Sequence, residues 1–152
     1  VLRRWSVDDG LEAFNRLWHQ IDVHSDVLEV VGELRAAGIY CAVASNQQAR
    51  RAKAMSIGLS YREKFDAEYY SCDLGLKKPM EAYFHRIIER CGFEPSRVLF
   101  VDDRMSNLEA ARAIGIHALR FVADEHLEKG KALKGLIGNF EESPSRYAWG
   151  AS

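Results

Sequence analysis

Two adjacent carboxylates stand at the end of a short apolar run. Residues 98–101 read VLFV, Asp102 and Asp103 follow at once, and Asn107 comes four positions after the second aspartate. The two carboxylates repel each other unless a nearby cation offsets their charge. With the amide oxygen of Asn107 they form an all-oxygen ligand set of the kind that Mg²⁺ favours. The pattern predicts a magnesium site. The alternative is one aspartate that caps the following helix beside a second that is solvated.

Two other short stretches carry polar groups suited to a phosphoryl ligand. Ser45 and Asn46 follow an apolar run, and a hydroxyl with a backbone N–H near a helix start can bind an oxyanion. Lys77 and Lys78 precede a proline, and an ammonium group pairs with phosphate as a point charge. Taken singly, Ser45 suits a helix cap and each lysine suits an exposed surface position. Together with the carboxylate pair, they supply the positioning, charge neutralisation and metal that phosphoryl transfer needs.

The elements that must position these groups alternate along the chain. Apolar runs predict strands at 39–45, 65–71, 98–102 and 116–121. Helical spacing of apolar residues predicts helices at 8–21, 27–38, 47–58, 79–91, 107–115 and 123–137. This alternation predicts an α/β fold, a three-layer Rossmann-like parallel sheet with helices on both faces. Ligands of such sheets bind beyond the carboxyl ends of the strands, which is where Ser45, Lys78 and Asp102 are expected to lie.

Signals at the helix ends refine this outline. We expect Ser25 or Asp26 to cap the helix that ends at Gly38. We expect Pro79 to open the helix that runs to about Cys91, because the missing proline N–H would have no partner at a helix start.

The bulk composition excludes several classes of function. The chain has 152 residues, a formal net charge of −1, 47% apolar residues and 28% charged residues, which is ordinary globular composition. The near-neutral charge predicts no nucleic-acid surface, and no apolar run approaches the ~20 residues needed to cross a membrane. The three cysteines lack a C-x-x-C pair, which favours reduced thiols in the cytoplasm.

The stretches AVASN, LGLKKP and VLFVDDRMSNLEAARAIG occur in an order that resembles three motifs of the haloacid dehalogenase superfamily. The likeness is to the phosphatase-type branch with a small helical cap, and it extends over residues 18–122. It implies a Mg²⁺-dependent hydrolase that acts on a small phosphorylated metabolite through an aspartyl-phosphate. It also implies that residues 1–24 are a remnant of the cap, 25–122 the α/β core, and 123–152 a C-terminal helix and tail.

The resemblance implies three groups of site residues. The catalytic residues would be Ser45, Lys78 and Asp103. The substrate would be bound by Ser45, Asn46 and Lys78, and Mg²⁺ by Asp102, Asp103 and Asn107. Ser45 would hold the phosphoryl oxygens, whereas Lys78 would orient the nucleophile and offset charge. Lys77 is expected to be only a neighbour, because the family's lysine directly precedes the proline.

One motif of the family is missing from the chain. Family members attack phosphate with the first aspartate of a D-x-D pair at the end of the first strand, and the second aspartate acts as general acid and base. The nearest candidates here, Asp8 and Asp9, follow LRRW. A central strand at that point would bury two arginines, so a helix cap is the better interpretation. We therefore expect a fragment of a longer protein that is a poor catalyst by itself.

The missing motif also predicts a gap in the sheet. In this family the nucleophile's strand lies between the strand that ends at Ser45 and the strand that ends at Asp102. We therefore expect these two strands not to pair with each other. We also expect residues 1–152 alone not to form a stable monomer, because unpaired backbone groups in an interior are costly.

Three other functions fit the chain less well. A carbon–halogen hydrolase needs no metal, which leaves the Asp102, Asp103 and Asn107 set without a purpose. A phosphorylatable receiver domain places its aspartate pair before the hydroxyl and the lysine, whereas here the pair comes last. A non-catalytic relative that serves as a binding or scaffold protein accounts for the absent nucleophile, but not for the presence of Ser45 and Lys78.

Overall fold

The computed structural model of the protein describes residues 21–141 and contains parallel strands connected by helices. The strands are β1 (Ala42–Ser45), β2 (Ala67–Tyr70), β3 (Leu99–Asp102) and β4 (His117–Arg120). Each lies within a range predicted from the sequence and is shorter than that range, β1 and β3 only at their starts. Nearly all of the helix predicted at 8–21 falls outside the described residues.

The helices alternate with the strands, as predicted. They are α1 (Ser25–Ala36), α2 (Ala49–Lys53), α3 (Tyr61–Lys64), α4 (Ser71–Leu74), α5 (Glu81–Cys91), α6 (Met105–Ala113) and α7 (Lys129–Glu141). Helix α2 continues as a π-helical turn at Ala54–Gly58. Short 3₁₀ turns lie at Pro95–Arg97 and Ala123–Glu125.

The strands form two separate two-stranded sheets in the part of the chain that the structure describes. In the first sheet β1 pairs with β2, with Ser45 opposite Tyr70. In the second sheet β3 pairs with β4, with Asp102 opposite Arg120. Strands β1 and β3 are not hydrogen-bonded to each other, as predicted from the sequence. Each has one edge paired and one edge that faces no strand among residues 21–141.

Helices pack on both faces of the first sheet. Because side chains alternate along a strand, Tyr69 and Tyr70 of β2 point to opposite faces. Tyr70 joins a small cluster with Ala52 and Met55 of the α2 segment. Tyr69 joins a larger cluster that reaches across to the second sheet, whose buried members are Tyr69, Leu74, Tyr83, Phe84, Ile87, Leu108, Ala111, Ile116 and Ala118. One continuous core under α5 and α6 therefore joins the two sheets.

The N-terminus of α1 differs from the sequence-based prediction. His24 occupies the cap position and no side chain caps the helix. The carboxylate of Asp26 instead accepts a hydrogen bond from the Gly130 N–H at the start of α7, at 2.7 Å. That N–H belongs to the first turn of α7 and has no partner within its own helix. The expected capping role was wrong because Asp26 serves the neighbouring helix.

Two other boundaries also differ. Strand β1 starts at Ala42, and Ile39 and Tyr40 before it are 43% and 41% exposed. Helix α5 begins at Glu81 rather than at Pro79, and the Lys78–Pro79 peptide bond is cis. Pro79 therefore belongs to the loop that carries Lys78.

Helices α1 and α7 make close contact where Gly130 meets Asp26. A Cβ atom on Gly130 would lie 2.5 Å from the Asp26 carbonyl oxygen, a distance that real Cβ atoms do not show. Further along the same pair of helices, Lys134 forms an ion pair with Glu33. Only glycine at position 130 allows the two helix starts to approach this closely.

Candidate active site at the carboxyl ends of β1 and β3

The ammonium group of Lys78 connects the two sheets. Its Nζ donates a hydrogen bond to the Asp102 carboxylate at 2.6 Å and another to the Ala44 carbonyl of β1 at 2.9 Å. The Lys78 and Asp102 side chains are only 10% and 6% exposed. The ring of Phe100 lies 5.3 Å from the same nitrogen, within the range of a cation–π contact. A buried positive charge is thus fixed between the ends of β1 and β3.

Asp102 is held by three donors of the chain itself. Oδ2 accepts from Lys78, whereas Oδ1 accepts from the Asn107 side-chain amide at 2.8 Å and from the Arg104 N–H at 2.9 Å. Burial opposes ionisation of this carboxyl, but the hydrogen bonds from Lys78, Arg104 and Asn107 outweigh it and lower the pKa of Asp102. Both oxygens of Asp102 are therefore engaged in supporting the site.

Asp103 has a different environment from its neighbour. It is exposed just beyond the end of β3, and among the hydrogen bonds of residues 21–141 none involves its carboxylate. Asn107 is 5% exposed and directs its amide nitrogen at Asp102, which leaves its amide oxygen for another partner. The chain therefore offers one free carboxylate and one free amide oxygen in this part of the site.

These two oxygens fit a magnesium ion as part of its ligand set. Mg²⁺ in proteins takes one or two carboxylates and keeps water and phosphate oxygens as its remaining ligands. No group of three or more His, Cys, Asp or Glu side chains that could hold a metal exists among residues 21–141. Asp103 and Asn107 would thus need further ligands, and the engaged oxygens of Asp102 are poorly placed to be among them.

Ser45 lies at the end of β1 and is oriented by a second set of hydrogen bonds. The Gln47 side chain donates to the Ser45 hydroxyl oxygen at 3.0 Å. The Ser71 hydroxyl accepts from the Gln47 N–H at 3.0 Å and donates to the Gln47 carbonyl at 3.1 Å. Because Ser45 Oγ already accepts from Gln47, its own proton is left to donate to a ligand oxygen.

Asn46 and Lys77 occupy contrasting positions. Both polar atoms of the Asn46 amide are hydrogen-bonded to the main chain of Lys78. The amide nitrogen donates to the Lys78 carbonyl at 2.8 Å, and the amide oxygen accepts from the Lys78 N–H at 2.9 Å. Lys77 is exposed, and no ion pair among the described residues involves it. The structure thus brings Asn46, Lys78 and Asp102 into one hydrogen-bonded set, with Ser45 next to Asn46 in a second set, and leaves Lys77 outside both.

The haloacid dehalogenase-like hydrolase family matches residues 5–115, well over half of the chain. The chain belongs to this family. The match covers β1 through α6, and so includes every candidate site residue described above. The resemblance predicted from three short motifs is confirmed at the level of the family.

Curated relatives of this haloacid dehalogenase-like chain are much longer than it is. Acyl-CoA dehydrogenase family member 10 of Mus musculus is 32% identical over 114 residues, which are 72% of this chain and 10% of that protein. Flavin mononucleotide hydrolase 1 of Arabidopsis thaliana is 33% identical over 61 residues, 40% of this chain and 25% of that protein. The chain spans a quarter or less of the length of these two relatives.

Solved structures of haloacid dehalogenase-like enzymes share the fold. A family enzyme from Bacteroides thetaiotaomicron in its magnesium complex gives a TM-score of 0.68 at 21% identity, covering 76% of this chain and 62% of that chain. The same enzyme with magnesium and inorganic phosphate gives 0.63 at 22%, covering 70% and 57%. No helix among residues 21–141 is long and apolar enough to cross a membrane.

Three residues of the site were not found from the sequence. Gln47 and Ser71 orient Ser45, and Tyr83 is fully buried beneath the site with its hydroxyl donating to the Tyr69 carbonyl at 2.6 Å. Burial raises the pKa of Tyr83, which keeps the phenol protonated. Ser71 directly follows β2, so the rule that drew attention to Ser45 would have found it. Gln47 and Tyr83 carry no comparable signal in the sequence.

Proposed function

We propose that the chain forms the core of a Mg²⁺-dependent phosphatase that hydrolyses a small phosphorylated metabolite. The observation that carries this proposal is the Lys78 ammonium held between Ala44 and Asp102, at the end of the strand that carries Ser45. A buried cation with a nearby hydroxyl donor is suited to a phosphoryl group, whose charge must be offset as it is transferred. The similarity to a flavin mononucleotide hydrolase and to an enzyme that binds magnesium and phosphate supports the same chemistry.

Each residue has a defined part in this proposal. The Ser45 proton donates to one phosphoryl oxygen, and the Lys78 ammonium offsets charge on the group being transferred. Asp103 and the amide oxygen of Asn107 would hold Mg²⁺, which when bound neutralises phosphate charge and orients the substrate. Asp102 pairs with the Lys78 ammonium and holds it in place.

The nucleophile is proposed to lie outside this chain. Sequence 1–152 contains no D-x-D pair after an apolar strand, and β1 and β3 each present an unpaired edge in the described part of the chain. A strand in this gap would place a carboxylate close to Lys78, where the ammonium can stabilise it. In the complete gene product such a strand would supply the aspartate that forms the aspartyl-phosphate.

A binding or scaffold role is the second candidate, favoured by the absence of the nucleophile motif alone. Carbon–halogen hydrolysis is less well supported, because it leaves the free oxygens of Asp103 and Asn107 without a use. The cytoplasm is our proposed location. It is consistent with Cys41, Cys72 and Cys91, none of which forms a disulfide.

Magnesium binding and turnover test the proposal together. In the complete gene product, Mg²⁺ is expected to raise the melting temperature, and a panel of phosphorylated metabolites is expected to contain a substrate. Asp103→Asn should remove most of the Mg²⁺-induced shift and nearly all turnover, while leaving the melting temperature without metal close to wild type because Asp103 is exposed. Thermal melts with and without Mg²⁺, and a phosphate-release assay, measure both effects.

Glu109→Gln is a suitable control, because Glu109 is an exposed carboxylate on the same helix as Asn107. It should change neither the metal response nor the activity. An Asp103→Asn protein that keeps the full Mg²⁺ shift and wild-type turnover would refute the metal assignment. Activity with no dependence on Mg²⁺ would refute the proposed chemistry.

A further inference from the structure

The side chain of Asn46 is fully committed to one residue of another loop. Its amide nitrogen donates to the Lys78 carbonyl at 2.8 Å, and its amide oxygen accepts from the Lys78 N–H at 2.9 Å. Two hydrogen bonds to the same residue close a ring, and a ring fixes rotation as well as distance. The arrangement reproduces the paired bonds that a neighbouring strand would make with Lys78.

The same lysine is held by β1 at its other end. While Asn46 holds the backbone of Lys78, the Ala44 carbonyl accepts from its ammonium group at 2.9 Å. The lysine side chain thus runs alongside the end of β1, anchored at both ends, before it reaches Asp102 in the second sheet. These hydrogen bonds form one continuous network, which runs from Asn46 through Lys78 to Ala44 and Asp102.

We propose that Asn46 is a positioning residue that sets the location of the Lys78 ammonium, rather than a residue that binds substrate. Where the proposal concerns turnover it rests on the proposed phosphatase function, whereas the control of Lys78 by Asn46 stands on the geometry alone. The sequence-based prediction placed Asn46 among the substrate-binding residues. Because Asn46 is exposed, direct contact with substrate is the competing role.

The first test reads the position of Lys78 without any assay of activity. In the complete gene product, acetylation of Lys78 by an N-hydroxysuccinimide ester is followed by mass spectrometry, with the exposed Lys77 as an internal reference. Lys78 should react slowly in the wild type, since its side chain is 10% exposed and bonded to Asp102. Asn46→Ala removes both ring bonds and should raise the Lys78 rate by about tenfold, with Lys77 unchanged.

Two further variants make the labelling test decisive. Asn46→Asp keeps the acceptor for the Lys78 N–H but places an oxygen against the Lys78 carbonyl, so its rate should fall between wild type and Asn46→Ala. Gln48→Ala removes an exposed amide two residues away and should behave as wild type. Circular dichroism identifies any variant that fails to fold, and Asn46→Asp then carries the test alone. An unchanged Lys78 rate in folded Asn46 variants would overturn the proposal.

The second test separates positioning from substrate binding. A residue that acts through Lys78 should lower kcat with little change in KM, whereas a substrate ligand should raise KM. We expect Asn46→Ala to reduce kcat by about tenfold and to leave KM within about twofold of wild type. A raised KM at unchanged kcat would assign Asn46 to the substrate instead. If the protein shows no phosphatase activity at all, the proposed function fails and the labelling result still decides the role of Asn46.

Discussion

The two sheets of this protein differ in how their faces are covered by other parts of the chain. The first sheet is packed on both faces, since Tyr69 and Tyr70 of β2 belong to separate buried clusters. Its outer face also carries a polar network, in which Glu68 accepts hydrogen bonds from the hydroxyls of Ser56 and Tyr70 at 2.6 and 2.8 Å. In the second sheet Phe100 and Ala118 pack on the core under α5 and α6. Within residues 21–141 no buried cluster covers its opposite face.

Within residues 21–141, the second sheet is therefore supported chiefly through its connections to the first. Three connections join them in the described part of the chain: the Lys78 hydrogen bonds between Ala44 and Asp102, the core side chains of α5, and the contact of α7 with α1. The first is polar, the second apolar and the third a close helix contact. Only the polar connection lies in the candidate active site, so stability and activity should respond differently when each connection is broken.

Breaking the polar connection should have the largest effect. Lys78→Ala leaves the buried Asp102 carboxylate without its cation, which costs about 3–5 kcal/mol, and it removes a charge that acts on the transferred group. Activity should fall by a factor of about 10²–10³. Lys77→Ala alters an exposed lysine, so it should change stability and activity little. The reverse result would mean that the lysine motif is placed one residue away from its true position.

Breaking the apolar connection should lower the stability of the fold strongly. It should leave the hydrogen bonds of the candidate active site largely intact. Phe84 is 1% exposed and meets the Phe100 ring edge-on at 5.1 Å between centroids. Phe84→Ala should lower the free energy of unfolding by about 3–5 kcal/mol, measured by urea titration. Leu127→Ala, at a fully exposed position, is the control for loss of an apolar side chain and should cost less than about 1 kcal/mol. Equal losses in the two variants would show that α5 does not join the sheets.

The helix contact can be opened by a single methyl group. Gly130→Ala places a Cβ atom against the Asp26 backbone, so α7 must shift away from α1 at a cost of about 1–3 kcal/mol. Gly135→Ala is the natural control on the same helix, because its Cβ would meet nothing within 4 Å. It should stabilise the protein by about 0.5–1 kcal/mol through helix propensity. Chemical denaturation of both variants measures these changes in the free energy of unfolding. If Gly130→Ala left that free energy unchanged, the contact of α7 with α1 would not count as a connection between the sheets.

Loss of the ion pair between Arg35 and Asp66, which does not join the two sheets, should have the smallest effect on stability. Arg35 donates twice to Asp66 Oδ1, at 2.8 and 3.0 Å, and Asp66 Oδ2 accepts from the Cys41 N–H. The two side chains are 32% and 28% exposed, so solvent screens the pair and Arg35→Ala should cost about 1 kcal/mol at pH 7.

The pH dependence of that effect has a definite sign. The Arg35 hydrogen bond, followed by that from Cys41, lowers the pKa of Asp66 below its ordinary value. A carboxylate with a lowered folded-state pKa contributes stability that is fully present above its unfolded pKa of about 3.9 and is lost as pH falls through the lower folded value. The stability difference between wild type and Arg35→Ala should therefore be constant near neutral pH and shrink below about pH 4. A difference that grows on acidification would contradict this assignment.

The sequence predicted what depends on local pattern. All four strands and the order of polar residues at their ends follow from apolar runs and strand-end chemistry, and these were enough to identify the family. Alternation along a strand predicts that adjacent aspartates face opposite ways, but the sequence pattern does not say that Asp102 is the one that meets Lys78 while Asp103 is exposed.

Contacts between segments that are distant in sequence could not be predicted from local patterns either. Asp26 has the residue type and position of a helix cap, yet it bonds a helix more than a hundred residues away. Asn46 has the position of an anion-binding residue, yet its amide holds a loop. In both cases a short polar side chain found an unpaired backbone group that only the tertiary structure brings near.

The pairing register of the strands also bears on how the chain reaches this structure. Ala42 pairs with Ala67 and Leu99 pairs with His117, so each sheet joins strands that are neighbours in sequence, through α2, the π-helical turn and α3 in the first sheet and through α6 in the second. The entropy lost in closing such loops rises only slowly with their length, and neither closure requires the other. Parallel pairing across a helical crossover is slower than the formation of local contacts. We therefore expect the strands of each sheet to pair before the contacts made by Lys78, Phe84 and Gly130 join the two sheets.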